Sequence, residues 1–256
     1  MTKEIHKRHL RAYKEQYWYA ENFLEEFLEL SENTNLNILE IGTAEAGLLK
    51  YFAEKGYKCY GIEYSEGRFN NSLILDENKR LNLKRGDVCD LSTFAEFNDI
   101  KFDVIVLRDV IEHVVEQEKA LANIYSLLKP GGKFFISFPG KHSPFAGHQQ
   151  VFPSVISKTP YMHLLPNFLY GKIMSLIGLN QASIEYYFFV KKNRLSINQF
   201  YKFCEKLNFK IAKEDYYFSR PNFEFRYKIK RRKNSLSGIK CFREVLSLGA
   251  VYILSK

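Results

Sequence analysis

Cysteine is scarce in this chain: four in 256 residues, Cys59, Cys89, Cys204 and Cys241, none at the spacing of a metal site. Each falls in an apolar run, which reads as a reduced core thiol in a reducing compartment and excludes a disulfide scaffold. The charged N-terminus lacks an apolar signal segment, and no apolar run reaches the roughly 20 residues that cross a bilayer. A soluble, cytoplasmic protein is expected. Acids are also in deficit, 29 Asp and Glu against 38 Lys and Arg, and the net charge of +9 points to an anionic partner such as phosphate, nucleic acid or a membrane surface. Tryptophan occurs once, yet 22 Phe and 17 Tyr raise the aromatic share to 16%, which calls for a site or an interface. An apolar content of 46% suits a globular core.

Asn37–Ala53, NILEIGTAEAGLLKYFA, organises the rest. The apolar run Ile38–Ile41 breaks at Gly42 and resumes with Leu48, Leu49, Phe52 and Ala53 at helical spacing. That is a buried parallel strand, a turn of small residues and a helix start. The turn residues Gly42, Ala44, Ala46 and Gly47 admit a ligand close to the backbone, and the helix N-terminus offers free N–H groups. The next apolar run ends at Glu63 and Tyr64, placing an acid where it can grip a ribose diol. A dinucleotide site wants G-x-G-x-x-G for its pyrophosphate. Here Glu40 stands two residues before Gly42 and suits an amino group and a sulfonium instead.

Phe102–Leu107 is a continuous apolar run, as expected of a central parallel strand that delivers Arg108, Asp109, Glu112 and His113 to the ligand edge. Glu116–Leu128 follows as a helix stopped by Lys129-Pro130-Gly131-Gly132, and Lys133–Phe138 as a fifth strand ending at Pro139-Gly140. Strand, D-x-x-E-H, helix, L-K-P-G-G, strand and S-x-P, together with the first motif, resemble class I S-adenosylmethionine-dependent methyltransferases over residues 36–140. In that family Ala44 and Ala46 are usually Gly, so the cradle has less room here. The resemblance implies a Rossmann-like α/β fold: a seven-stranded, mainly parallel sheet with its last strand antiparallel and helices on both faces. It implies S-adenosylmethionine held by Glu40, Gly42, Ala44, Gly47, Glu63, Tyr64 and Arg108, with Asp87 on the adenine amino group and the Val88 N–H on a ring nitrogen; Asp90 is the alternative to Asp87. A leading helix, Lys3–Ser31 within residues 1–35, would cover the cofactor and bring Tyr17, Trp18 or Tyr19 near it.

Asp109, Glu112 and His113 lie at i, i+3 and i+4, one face of a helical turn. Two carboxylates and an imidazole can hold a divalent cation, as in the ubiquinone-biosynthesis and small-RNA 2′-O-methyltransferases of the family. The Glu-His pair also occurs in relatives without a metal, and none is assigned from the sequence.

The fold needs only a short link after Gly140, but residues 141–192 insert an aromatic lid or acceptor region. Its apolar part, Pro160–Asn180, is interrupted by Pro166 and too short to span a membrane; lid or dimer packing is favoured over a helix lying on a membrane surface. His148, flanked by Gln149 and Gln150, is the first candidate general base, ahead of His113, His142 and His163. Residues 193–256 read as a helix N-capped by Ser196, a strand Phe209–Phe218, a basic insert with Arg220 and Lys228–Lys233, and a final strand Gly249–Leu254. The basic run fits a phosphate, nucleotide-sugar, lipid pyrophosphate or RNA, and nucleic acid ranks lower because no RNA-binding motif accompanies it. Short fragments such as G-H-Q-Q-V and Ser219-Arg220-Pro221 are similar to bacterial methyltransferases of surface polysaccharide and glycolipid synthesis. The expectation is one domain that methylates a small-molecule, glycan or lipid-linked acceptor, at a hydroxyl. RNA methylation and a catalytically silent binding module are the alternatives.

Overall fold

The computed structural model describes residues 5–30, 33–95, 97, 100–148, 152 and 154–256. Eight strands form one sheet: β1 Asn37–Ile41, β2 Lys58–Glu63, β3 Asn82–Arg85, β4 Phe102–Arg108, β5 Leu128–Phe138, β6 Lys210–Ser219, β7 Arg232–Lys233 and β8 Gly249–Ser255. Their order is β3-β2-β1-β4-β5-β8-β6-β7. The first five are parallel, and β8 runs antiparallel to both β5 and β6.

Side chains alternate between the two faces of a strand. On β1 and β4, Ile38, Val104 and Val106 enter one core with Leu48, Phe52 and Phe135, while Leu39, Ile105 and Leu107 enter the other with Phe134, Phe138 and Tyr252. Burial on both faces explains why these strands read as unbroken apolar runs. Each buried Phe or Leu contributes about 1.5–3 kcal/mol. The sheet reverses its order between β1 and β4, and the crevice at their carboxyl ends is where open α/β sheets bind ligands.

The expected architecture stands, with corrections of detail. The sheet has eight strands, not seven, because two residues of the basic run, Arg232 and Lys233, pair with β6. The helix before β5 ends at Leu127 and Leu128 already pairs with Phe102; residues 129–132 then bulge out, with Gly131 at φ +75°, before Lys133 rejoins opposite Val104. The leading helix runs Lys7–Tyr19, passes through a π-helical stretch Ala20–Leu24 and closes with Glu25–Leu28. Cys59 and Cys204 are buried, but Cys89 is only half-buried and Cys241 is exposed. The inserted region folds as a hairpin of helices Asn167–Leu176 and Gln181–Asn193 with its own small core of Met162, Tyr170, Met174, Leu179, Ile184 and Tyr187. Pro166, which interrupts the sequence pattern, stands immediately before the first of these helices. Among the described residues no helix is long and apolar enough to cross a membrane.

Candidate active site

The loop after β1 is tight because its backbone is left-handed at Gly42 (φ +76°), Ala44 (φ 49°) and Ala46 (φ 61°). A Cβ on Gly42 would lie 2.5 Å from Val110 Cγ2, so only glycine fits between this turn and the segment after β4. Glu63 fixes the loop from β2: its Oε2 accepts from the Ala44 amide at 2.7 Å and its Oε1 from the Ser65 amide at 2.7 Å. Each oxygen keeps a second lone pair for a ligand hydroxyl. Tyr64, beside it, is exposed.

Glu40 is buried at the same edge, and its Oε2 has no hydrogen-bond partner among the described residues. Burial pushes its carboxyl well above the usual carboxylate range, nearby Glu63 adds to that, and Arg108 opposes it. A buried carboxyl with an unpartnered oxygen in a ligand crevice is a socket for a cation.

Gly47 was expected to face the cofactor, but the structure gives it to the leading helix. A Cβ there would meet the Tyr13 carbonyl oxygen at 2.1 Å, and its amide donates to Gln16 Oε1 at 2.9 Å. The same helix places His9 Nδ1 2.6 Å from buried Glu45. Arg108 is also committed to it, paired with Glu15 and stacked 3.8 Å over the Tyr19 ring. Tyr17 donates to Glu54 at 2.8 Å and Trp18 packs on Phe225, which accounts for two of the aromatics expected near the cofactor. Asp87 is exposed after β3, accepting from the Cys89 amide at 2.8 Å, while Val88 is buried and its carbonyl accepts from Asn123. Asp90 turns away to cap Ser92.

The segment after β4 divides the trio Asp109, Glu112 and His113. Asp109 has φ 54°, and its carboxylate forms a bidentate pair with Arg220. Burial would raise Asp109, but Arg220 and Arg108 outweigh it and hold the carboxyl below the usual range. In its place comes His148: one donor atom each from Glu112, His113 and His148 lie within 4.8 Å of one another. These three arrive from a 3₁₀ turn, Ile111–His113, and from residue 148, itself at φ 58°.

Glu112 is fully buried with both carboxylate oxygens unpartnered among the described residues, and His148 Nε2 lies 3.8 Å from Oε1. Burial, with Asp109 nearby, pushes the Glu112 carboxyl up to about 8. Burial, with His113 beside it, pulls the His148 imidazole down to about 4, and burial also lowers His113. At neutral pH Glu112 therefore holds a proton while His148 does not. The His113 and His148 rings sit 5.3 Å apart, and Tyr186 from the hairpin stacks on His113 at 6.3 Å. The competing histidines go elsewhere, His142 to Glu244 at 2.9 Å and His163 to the Lys141 carbonyl at 3.3 Å. Gln149 and Gln150, expected beside His148, lie outside the described residues. Sequence reading named Arg220 only in the basic insert and in the fragment Ser219-Arg220-Pro221, not as a partner of Asp109, and did not single out Tyr186.

Strand order, switch-point crevice and acidic cradle define the class I methyltransferase architecture. Residues 11–211 match the family described as a methyltransferase domain, more than half of the chain, and the chain belongs to that family. It is 34% identical over 106 residues to phosphoethanolamine N-methyltransferase 2 of Caenorhabditis elegans, an alignment covering 41% of this chain and 24% of that one. It is 28% identical over 103 residues to the ubiquinone biosynthesis O-methyltransferase of Coxiella burnetii, covering 40% of this chain and 42% of that one. The chain thus spans less than half the length of either relative. Phosphoethanolamine N-methyltransferase 2 of Haemonchus contortus, solved in complex with S-adenosyl-L-methionine, shares the fold at 18% identity, with a TM-score of 0.56, over 96% of this chain and 56% of that one.

Proposed function

We propose that this protein transfers a methyl group from S-adenosylmethionine to an acceptor hydroxyl held beneath the helical hairpin. The cradle fits that cofactor on one observation: the buried, unpartnered oxygen of Glu40 is a socket for its amino group. Gly42 would admit it to the backbone, Glu63 would take the ribose, and Asp87 with the Val88 N–H would take the adenine. The bound cofactor supplies an electrophilic methyl group.

The relatives act on nitrogen in one case and on oxygen in another, so similarity leaves the acceptor atom open. The pair of Glu112 and His148 carries the choice. A neutral amine attacks through its own lone pair, an ammonium having given its proton up beforehand, whereas a hydroxyl has to lose a proton as it attacks. His148 is unprotonated at neutral pH, ready to take that proton, and the resulting imidazolium sits 3.8 Å from Glu112 and favours its ionisation in turn. His113 and Tyr186 wall the acceptor, and burial excludes water while the reacting atoms are aligned. The leading helix covers the cofactor loop through Gln16 and His9. A glycan or lipid-linked acceptor agrees with the fragments of the tail and with the basic surface.

The test uses methyl-labelled donor against catechols, sugar hydroxyls, glycolipids and ethanolamine phosphates, with the product bond identified. An ether is expected; a product labelled on nitrogen overturns the hydroxyl reading. A second reading is favoured by the donor cluster itself: a divalent cation on Glu112, His113 and His148 in place of the base. Loss of transfer on chelation, restored by Mg²⁺ or Mn²⁺, would select it. Activity indifferent to chelation leaves His148 acting alone.

A further inference from the structure

The outer helix of the inserted hairpin, Asn167–Leu176, carries an apolar face that nothing in the described fold covers. At 100° per residue, Phe168, Leu169, Lys172, Ser175 and Leu176 fall within one third of the helix circumference. All five are exposed, Phe168 at 73% and Leu176 at 75%. Tyr170 and Met174, on the opposite side, enter the hairpin core. Val155, Ile156 and Leu164 of the same inserted region add further exposed apolar side chains. Large apolar groups gathered in one segment mark a surface that meets something.

Charge decides what that is. Residues 154–193 hold four lysines, Lys158, Lys172, Lys191 and Lys192, against a single acid, Glu185. A twofold contact with a second copy sets the same patch against itself and so brings Lys172 toward its own copy in a segment whose one acid is Glu185. Phe and Leu around Lys on a short surface helix, in a chain of net charge +9, match the interface of an anionic bilayer instead. We propose that this face docks on an anionic lipid surface. The basic run Lys228–Lys233 is a poorer candidate because Arg231 pairs with Glu26 and Glu224 and Lys233 pairs with Asp215.

The placement deepens the functional reading and rests on it in one respect, the nature of the acceptor. The inner helix of the hairpin, Gln181–Asn193, sets Tyr186 on His113, and its Lys191 donates to the Leu165 carbonyl in the segment just before the outer helix. One hairpin therefore faces lipid on one side and the acceptor cluster on the other. An acceptor anchored in the bilayer would enter beneath it, its reactive hydroxyl directed at His148.

The experiment is co-sedimentation of the full chain with vesicles of equal parts phosphatidylcholine and phosphatidylglycerol, and with phosphatidylcholine alone. Binding is expected to the mixed vesicles and to be much weaker on the neutral ones. The double variant Phe168→Ser, Leu176→Ser removes two exposed side chains, so it keeps its fold and thermal unfolding, yet should lose about tenfold or more in partitioning. No binding to mixed vesicles overturns the proposal. Equal binding by the double variant also overturns it, since attraction would then be through charge alone. A stable dimer in light scattering that the double variant dissolves assigns the face to a second copy and sinks the lipid reading. S-adenosylhomocysteine binding, measured on the same samples, reports separately on the cofactor pocket, and transfer of labelled methyl from the donor reports on the reaction.

Discussion

In the proposed site the cofactor half is carried mostly by one stretch, Asn37–Glu63, with Asp87 and Val88 added after β3, while the acceptor half is gathered from residues 109, 112–113, 148, 186 and 220. The first is held by backbone: a left-handed turn, amides donated to Glu63, and a glycine that admits Val110. The second is held by side chains that burial has stripped of charge or locked in pairs. Pre-formed backbone geometry suits a cofactor that is the same molecule at every turnover. A group that moves a proton needs instead a medium in which its protonation is finely poised.

That contrast can be broken at four points. The largest effect is expected for His148→Ala, which should lower the rate of methyl transfer about 10²–10⁴-fold with S-adenosylhomocysteine affinity unchanged by calorimetry. An equal loss of affinity would show that the two halves are not separate. Next is Glu40→Gln, which keeps the shape and removes the charge; affinity for the same ligand should fall about 30-fold or more, as for a buried charge pair losing one partner. Because burial favours the protonated form of Glu40 in the empty crevice, binding of the ammonium should draw protons off it, and affinity should rise with pH. Calorimetry in buffers of different ionisation enthalpy reads that release.

Arg220→Met comes third. It leaves Asp109 half-buried and unanswered, a loss of roughly 2 kcal/mol and about 5 °C in Tm. Asp109→Asn in the same chain should recover part of it, the coupling a double-mutant cycle measures. The smallest effect sharpens the account of Glu112. Its folded value of about 8 lies above the unfolded one, so the stability present below the unfolded value is lost as pH rises toward 8. Glu112→Gln removes that penalty, and its Tm should exceed the parent's by a few degrees at pH 8 while matching it near pH 4. Thermal melts across that range decide it; equal Tm at both ends would contradict the burial of a poised carboxyl.

How far the sequence could be read follows the same division. Glu40, Gly42 and Glu63 stand at fixed offsets from an apolar strand, so periodicity and turn chemistry point to them, and the mainly parallel sheet with its antiparallel end is what the family resemblance implied. Asp109 sat at helical spacing from Glu112 and His113, yet the turn is 3₁₀ and left-handed at its start, which spacing alone does not carry. Gly47 looked like a ligand glycine because it opens a helix, but a second helix uses the same close approach. Arg220 and Tyr186 reach the site through tertiary folding over 111 and 73 residues from Asp109 and His113 respectively, distances no local pattern spans.

The most direct test of the whole account is calorimetric titration of the purified chain and its Glu40→Gln variant with S-adenosylhomocysteine, with NAD as the control. The account predicts binding of the first ligand alone, with proton release, and its marked weakening in the variant. Failure to bind S-adenosylhomocysteine, preference for NAD, or an affinity unchanged by Glu40→Gln would contradict it.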